Sequence, residues 1–535
     1  MQSLNRGDVL KALSAAGLVL LPGKVLAQTP KNGGTFVMVV QPDPPTLGAY
    51  MNPAQPIGEV TAHVYDGLCE YDFNIRPVPS LATSWTTSSD GKTITFKLRK
   101  GVTFHDGEPF TSADVQFSIM EVLRKYHARG INTFRELDAI DTPDPLTAVF
   151  HFATPAPYVM AALSGYESPI VPKHLLQNTD VRTSKYANSP VGTGPFKFVE
   201  WQRGQYIRLD RNPSYWRPGQ PHLDRIVVRD IADASARSAA MQAGEINYAA
   251  YGAISYFDVA RLSKIPGIAS TIKGYEMQNP IVQLDFNTRV APFNNVKVRQ
   301  AISYAIDRKF VIDKLWFGFG KPATGPINSN LAPTGFYTPD VKNYNVPNGT
   351  EMANKLLDEA GYPRKADGTR FEIVHDITPY GEVWQRYGEY VKQALEKIGI
   401  KATLRYEDLP TWLHRVYTDY NFQLTSNWFN GFADPVIGVD RQYSSWSIKK
   451  GVPFVNGSGW SSPETDTLMK EASTELDKKK RGALYHQFQK LVVEAAPVVW
   501  VFELHFVTVY STKFHDLTVS PLGDYAPFNQ AWLAT

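Results

Sequence analysis

A chain of 535 residues is too long for one ordinary domain and implies two or three. With 43% hydrophobic, 12% aromatic and 20% charged residues it has the composition of a soluble globular protein with a large core. The net charge is only +3, and Arg6, Lys11 and Lys24 against Asp8 place most of that in the first 27 residues, so the remainder is about neutral; this and the lack of a basic run interleaved with aromatics exclude a nucleic-acid partner.

The chain opens with the pattern of an export signal. Arg6 and Lys11 form a positive region, residues 12–21 are a short apolar run broken by Pro22-Gly23, and Val25-Leu26-Ala27 supplies small or aliphatic residues for cleavage before Gln28. The run is much shorter than the roughly 20 residues that span a bilayer, and no later segment is long and apolar enough to serve as an anchor. Residues 5–11 are similar to a twin-arginine signal in which the second arginine has become Gly7, so export by the Sec route or by a degenerate twin-arginine signal is expected.

After the signal, Thr35-Phe36-Val37-Met38-Val39-Val40 is a continuous apolar, β-branched run that predicts a strand buried on both faces. The Pro-rich stretch from Gln41 to Pro45 stops it. Cys69 is the single cysteine, so no internal disulfide can form and a buried structural thiol is expected. Asp90-Gly91 predicts a hairpin turn before a strand in which Ile94, Phe96 and Leu98 alternate with polar residues. Thr111-Ser112 caps a helix with Val115, Ile119 and Val122 on one face and Asp114 at its positive end. Further strands are predicted over 206–210, 226–230 and 498–502. Three more amphipathic helices follow from Val298, Ile302, Ala305 and Ile306; from Val383, Tyr387, Val391, Ala394, Leu395 and Ile398, closed by Gly399; and from Leu484, Phe488, Leu491, Val492 and Ala495, ended by Pro497. Strands and helices mixed throughout give an α/β class. The absence of repeats and long linkers points to domains assembled from several chain segments.

Residues 80–118 carry Ala82-Thr83-Ser84-Trp85, Asp90-Gly91, Phe96-Lys97-Leu98-Arg99, Gly101-Val102-Thr103-Phe104-His105-Asp106-Gly107 and Asp114-Val115 in unbroken register. Gly192-Thr193-Gly194-Pro195-Phe196, Arg211-Asn212-Pro213-Ser214-Tyr215-Trp216, Phe286-Asn287-Thr288 with Pro292-Phe293, Val298-Arg299-Gln300-Ala301-Ile302 leading to Ala305-Ile306-Asp307-Arg308, and Leu357 through Gly361-Tyr362-Pro363 follow in order. This series resembles the peptide/nickel/oligopeptide solute-binding family, the extracytoplasmic receptors of bacterial ABC importers, over nearly all of the chain after the signal. The resemblance implies a type II periplasmic-binding-protein fold, two lobes closing on a ligand with an extra domain beside the first. Mapped onto this chain, the first lobe would take 28–68, 193–284 and 500–535, the extra domain 69–192, and the second lobe 285–499. It further implies a periplasmic monomer that needs no cofactor, captures a small solute and delivers it to a membrane permease. A peptide or modified peptide is the default ligand; an oligosaccharide, opine or metal chelate is the alternative, and an exported hydrolase the rival class.

Catalytic patterns are missing. There is no HExxH pair, and one cysteine cannot build a thiolate zinc site. Gly457-Ser458-Gly459 is a polar turn rather than a nucleophile elbow, and Gly192-Thr193-Gly194 and Gly318-Phe319-Gly320-Lys321 are too short to cradle phosphate. His105-Asp106 has the look of a base and its orienter, but it belongs to a family-wide block and is expected to serve the fold.

A binding site is better supported at Trp428-Phe429-Asn430-Gly431-Phe432-Ala433-Asp434-Pro435, where aromatics, an amide and a carboxylate share a Gly/Pro-containing, loop-like stretch. The resemblance independently puts this stretch at the cleft. Trp428, Asn430 and Asp434 are its candidates, set against the plain alternative of core aromatics and a turn cap. Tyr50 and Asn52 after the first strand, and Tyr380, Trp384 and Tyr443 in the second lobe, are further candidates. In the dipeptide-binding branch an aspartate three residues after the tryptophan holds the peptide amine, and an arginine before a Pro-Tyr pair holds its carboxylate; here these positions are Gly431 and Thr378. The oligopeptide branch can use an arginine three residues before the tryptophan, here Thr425. Asp434 can stand in for the amine partner, and no arginine obviously replaces the other. Simple zwitterionic dipeptides are therefore expected to bind poorly, and a neutral, hydroxyl-rich or modified-peptide ligand better.

Overall fold

Strand Thr35–Val40 lies at the centre of a seven-stranded sheet, paired in parallel with Arg225–Asp230 on one side and Tyr248–Ala249 on the other. A computed structural model describes residues 30–534 of the chain, so the export signal expected over 1–27 lies outside the described residues. Tyr206–Arg211 and Phe196–Gln202 extend one edge of this sheet, and Thr508–Ser511 and Ile268–Thr271 the other, all by antiparallel pairing. Phe36, Met38, Val39 and Val40 are fully buried, as a strand covered on both faces should be.

A second, six-stranded sheet runs in the order Gly320–Pro322, Val498–Leu504, Pro280–Phe286, Leu424–Asn430, Phe371–Ile377, Ile400–Tyr406. Its last three strands are mutually parallel and the others pair antiparallel. Every residue of Pro280–Phe286 and Val498–Leu504 is buried in it. The lobe limits expected at 284 and 500 therefore cut through two strands that belong whole to the second sheet. The chain passes between the sheets at 272–279 and 505–507 instead, between strands rather than within one.

A four-stranded antiparallel sheet, Ala82–Thr87, Thr93–Leu98, Thr147–Phe152 and Leu137–Asp144, builds the domain beside the first lobe. Its core is continuous with that of the first lobe and includes the lone Cys69, whose thiol burial pushes up to about 12. Asp114 accepts from the backbone N–H and hydroxyl of Thr111 at 2.9 and 3.0 Å, closing the start of helix Ser112–Gln116. His105 is stapled to the neighbouring segment, one ring nitrogen 3.0 Å from the Gly194 carbonyl and the other accepting from Gly192 N–H at 3.3 Å. Asp106 faces His174 rather than His105. Burial holds His105 down at about 4, so this pair serves the fold.

In the second lobe, helix Glu382–Lys397 buries Trp384, Tyr387, Val391, Ala394 and Leu395, and Gly399 takes the left-handed turn that ends it. Helix Lys478–Ala495 buries Tyr485, Gln489 and Val493 as well as the expected Phe488 and Val492, while Leu484 and Leu491 are only half-covered. The stripe is turned by about one residue because helices pack on both of its sides, Pro463–Thr474 and Val296–Ala305.

Candidate ligand-binding site

The stretch read as a loop begins as a strand. Leu424–Asn430 is an inner strand of the second sheet, between Pro280–Phe286 and Phe371–Ile377. Its interior is polar yet fully buried, and each group has a partner. Thr425 accepts from the Trp412 indole at 3.0 Å and donates to the Asp376 carbonyl at 2.9 Å. Ser426 accepts from Thr378 N–H at 3.2 Å, and Asn427 donates to Asp285 at 2.8 Å. These substitutes for apolar packing erase the hydrophobic run by which a buried strand is recognised.

This register carries Trp428 and Asn430 to the carboxyl end of a strand whose parallel neighbour ends at Ile377, just before Thr378-Pro379-Tyr380. Carboxyl ends of adjacent parallel strands are where open α/β sheets form a crevice. Three of the expected residues meet there. The Trp428 ring stacks on Trp384 with centroids 5.3 Å apart at 30°, and Tyr380 stands edge-on to it at 4.4 Å and 83°. Trp384 is buried and backed by Trp316, whereas Trp428 is half-buried and Tyr380 is 39% exposed. The cluster thus presents one aromatic wall on a fixed base.

Asn430 lies beside the crossing between lobes. Its Nδ2 points to Gln278 Oε1 at 3.4 Å, and its buried Oδ1 has no hydrogen-bond partner among the described residues. Backbone N–H groups of Gly431 and Phe432 donate to the Asn279 and Gln278 carbonyls at 3.0 and 3.1 Å, and Asn279 Nδ2 donates to the Phe432 carbonyl at 2.8 Å. These bonds hold Phe432 in a left-handed conformation, φ 52°, which non-glycine residues rarely adopt.

The remaining candidates are engaged elsewhere. Asp434 accepts two bonds from Arg481, at 2.6 and 2.8 Å, with both side chains buried, and also caps helix Pro435–Gly438 through Val436 N–H at 3.1 Å. Its carboxylate is committed and does not replace the missing amine partner. Tyr443 is 1% exposed, accepts from the Trp500 indole at 2.9 Å and sits inside the second lobe's core. Tyr50 is completely buried, its hydroxyl 3.4 Å from the Val181 carbonyl. Asn52 uses its Oδ1 on Ala54 N–H at 3.0 Å, turning the chain into helix Gln55–Thr61.

Three charged residues went unread. Arg129 and Glu167, on the domain beside the first lobe, form a two-bond pair at 2.8 and 2.9 Å, and the Arg129 guanidinium lies 4.9 Å from the Phe432 ring. Arg441 lies 5.7 Å from the same ring and donates to the Asn430 carbonyl at 3.3 Å. A narrow crevice lies between these elements, lined by Ala161 and Glu167 from the neighbouring domain, Met277 and Gln278 from the crossing, and Phe432 and Ile437 from the second lobe, among others. None of the three belongs to a motif; only the succession of Asp-Pro and an arginine six residues later marks Arg441. Among the described residues no cluster of His, Cys, Asp and Glu could hold a metal ion, and no helix is long and apolar enough to cross a membrane.

Comparison with known proteins agrees with this architecture. Residues 76–450 match the model of bacterial extracellular solute-binding proteins, family 5. Heme-binding protein A of Haemophilus influenzae is 30% identical over 490 residues, covering 86% of this chain and 85% of that one. A glutathione-binding protein of Pectobacterium atrosepticum is 27% identical over 488 residues, covering 86% and 87%. The Helicobacter pylori periplasmic binding protein DppA, solved with the peptide STSA, superposes with a TM-score of 0.79 at 26% identity over 94% of this chain and 99% of that one. With its two sheets joined by two crossings, a third domain beside the first lobe and this extent of match, the chain belongs to family 5 of the bacterial extracellular solute-binding proteins.

Proposed function

We propose that this protein is the periplasmic receptor of an ABC importer, that it works as a monomer, and that it captures a peptide or modified peptide between its lobes and presents it to the membrane permease without chemical change. The observation that carries this reading is the Tyr380–Trp428–Trp384 wall at the carboxyl ends of parallel strands, close in the chain to the crossing between the two sheets. A ligand touching both faces binds the closed arrangement better than the open one, and that difference supplies the free energy of closure. Relatives whose names record peptide, glutathione and heme binding support a family-wide binding role and leave the choice of ligand to the local chemistry. Here that chemistry disfavours a free ammonium, since position 431 is glycine and Asp434 is held by Arg481.

Isothermal calorimetry tests this directly. N-acetylated peptides with an aromatic residue should bind, and zwitterionic dipeptides should bind at least tenfold more weakly. Trp428→Ala should weaken binding by roughly 1.5–3 kcal/mol, the worth of a large apolar contact, about ten- to a hundredfold. Its thermal unfolding should stay near wild type, because the ring is only half-buried. Wild-type affinity in that variant, or micromolar binding of unmodified dipeptides, would contradict the reading.

A further inference from the structure

Among the described residues no carboxylate forms an ion pair with Arg441, which is held at the cleft by carbonyl groups. Its Nε donates to the Gly438 carbonyl at 3.1 Å, its Nη1 to the Phe454 carbonyl at 2.9 Å and its Nη2 to the Asn430 carbonyl at 3.3 Å. The guanidinium lies 5.2 Å from the Phe429 ring and 5.7 Å from that of Phe432. Other arginines of this lobe are also held by carbonyls alone, but Arg299 and Arg308 do so at 4% and 2% exposure, inside the core. Arg441 is instead only partly buried, and it borders Asn430 and Phe432 at the cleft edge. Arg129, also against the Phe432 ring, is paired with Glu167. Two guanidinium groups against one carboxylate leave one positive charge, in a partly desolvated place where a charge-assisted bond is strong. Burial and the nearby Arg129 pull Arg441 down to about 10, still cationic at neutral pH.

Asn430 narrows the chemistry further. Its buried Oδ1 lacks a donor among the described residues, and its carbonyl is already joined to Arg441. The last residue of a peptide offers an amide N–H and a carboxylate on either side of one Cα. We propose that Arg441 anchors the carboxylate of the ligand while Asn430 Oδ1 accepts the adjacent amide N–H, so that the ligand is a peptide or peptide-like acid recognised by its acidic end with no need of a free amine. This rests on the peptide-receptor reading above.

The experiment compares N-acetyl-Phe-Leu with N-acetyl-Phe-Leu amide by calorimetry, on the full mature chain. The acid should bind wild type tenfold or more tightly than the amide. Arg441→Gln should lose that preference, and Arg441→Lys should keep part of it. Glu167→Gln, which releases Arg129 and raises the charge of the cleft, should tighten the acid severalfold more than the amide, widening the acid preference in a way that lost folding cannot mimic. Thermal unfolding without peptide identifies any variant that fails to fold. Equal binding of acid and amide by wild type, or an acid preference that survives Arg441→Gln, would overturn the anchor and leave the receptor reading intact. Failure of both peptides to bind wild type would overturn the peptide reading and the anchor with it.

Discussion

Arg481→Met should lower the stability of the second lobe by about 3–5 kcal/mol, the usual cost of removing one partner from a buried ion pair. The pair is deeply placed, with 7% and 5% of the Arg481 and Asp434 side chains exposed. Arg481 also donates to the Ala472 carbonyl at 2.7 Å, which ties it to the end of helix Pro463–Thr474. Its loss also affects Asp440, which is buried nearby with one oxygen lacking a partner among the described residues. Burial, and after it the charge of Asp434, already hold Asp440 well above the ordinary range, while Arg481 and Arg135 act the other way. Urea unfolding followed by tryptophan fluorescence measures the effect. The double variant Asp434→Asn/Arg481→Met should recover much of the loss, since the damage comes from an uncompensated charge rather than from the missing bonds. A loss under 1 kcal/mol in the single variant would show that water reaches the pair.

A second large effect concerns pH. Glu59, on helix Gln55–Thr61, and Asp524 are buried together in the first lobe. Gln55 Nε2 donates to Glu59 at 2.8 Å, and among the described residues neither carboxyl has a cationic partner. Burial raises both, and for Glu59 the charge of Asp524 adds to it. A carboxyl whose folded pKa stands above its unfolded value of about 4 binds its proton more tightly when folded. The stability it contributes is therefore complete below about pH 4 and is lost as pH rises through the raised folded value. Replacing both by Glu59→Gln and Asp524→Asn removes this dependence. The variant should gain on wild type by about 1–3 kcal/mol between pH 5 and pH 8, read as the difference between two unfolding series. A difference that stays flat across that range would mean that the two carboxyls ionise as freely in the folded protein as in the unfolded chain.

What could be read from the sequence divides along physical lines. The helix from Glu382 to Lys397 keeps a clean apolar stripe and a glycine stop, and the Asp90-Gly91 hairpin has the turn chemistry that its position demands. Both are local signals. The Leu424–Asn430 strand was hidden because Thr425, Ser426 and Asn427 satisfy their polar groups with partners brought in by the fold. Asp434 looked available because its partner, Arg481, is 47 residues away. Tyr50 and Tyr443 are aromatic residues near cleft segments in sequence, yet both point into the core, a distinction that composition does not carry. Trp428 and Tyr380 come together because they follow strands that pair in parallel, with Trp384 on the helix that comes next, a matter of topology that the spacing of aromatics does not carry. Arg441 had no motif, and it was identified through its position beside Asn430 and Phe432.

The central claim is that the cleft holds a small molecule and leaves it unchanged. Native mass spectrometry of the protein recovered from the envelope of its own cells tests this most directly. The expected result is a mature chain starting near Gln28 that carries one small acidic molecule per chain, released intact on denaturation and absent from the Trp428→Ala variant. Recovery of a chemically converted product, or of equal occupancy in the Trp428→Ala variant, would contradict it.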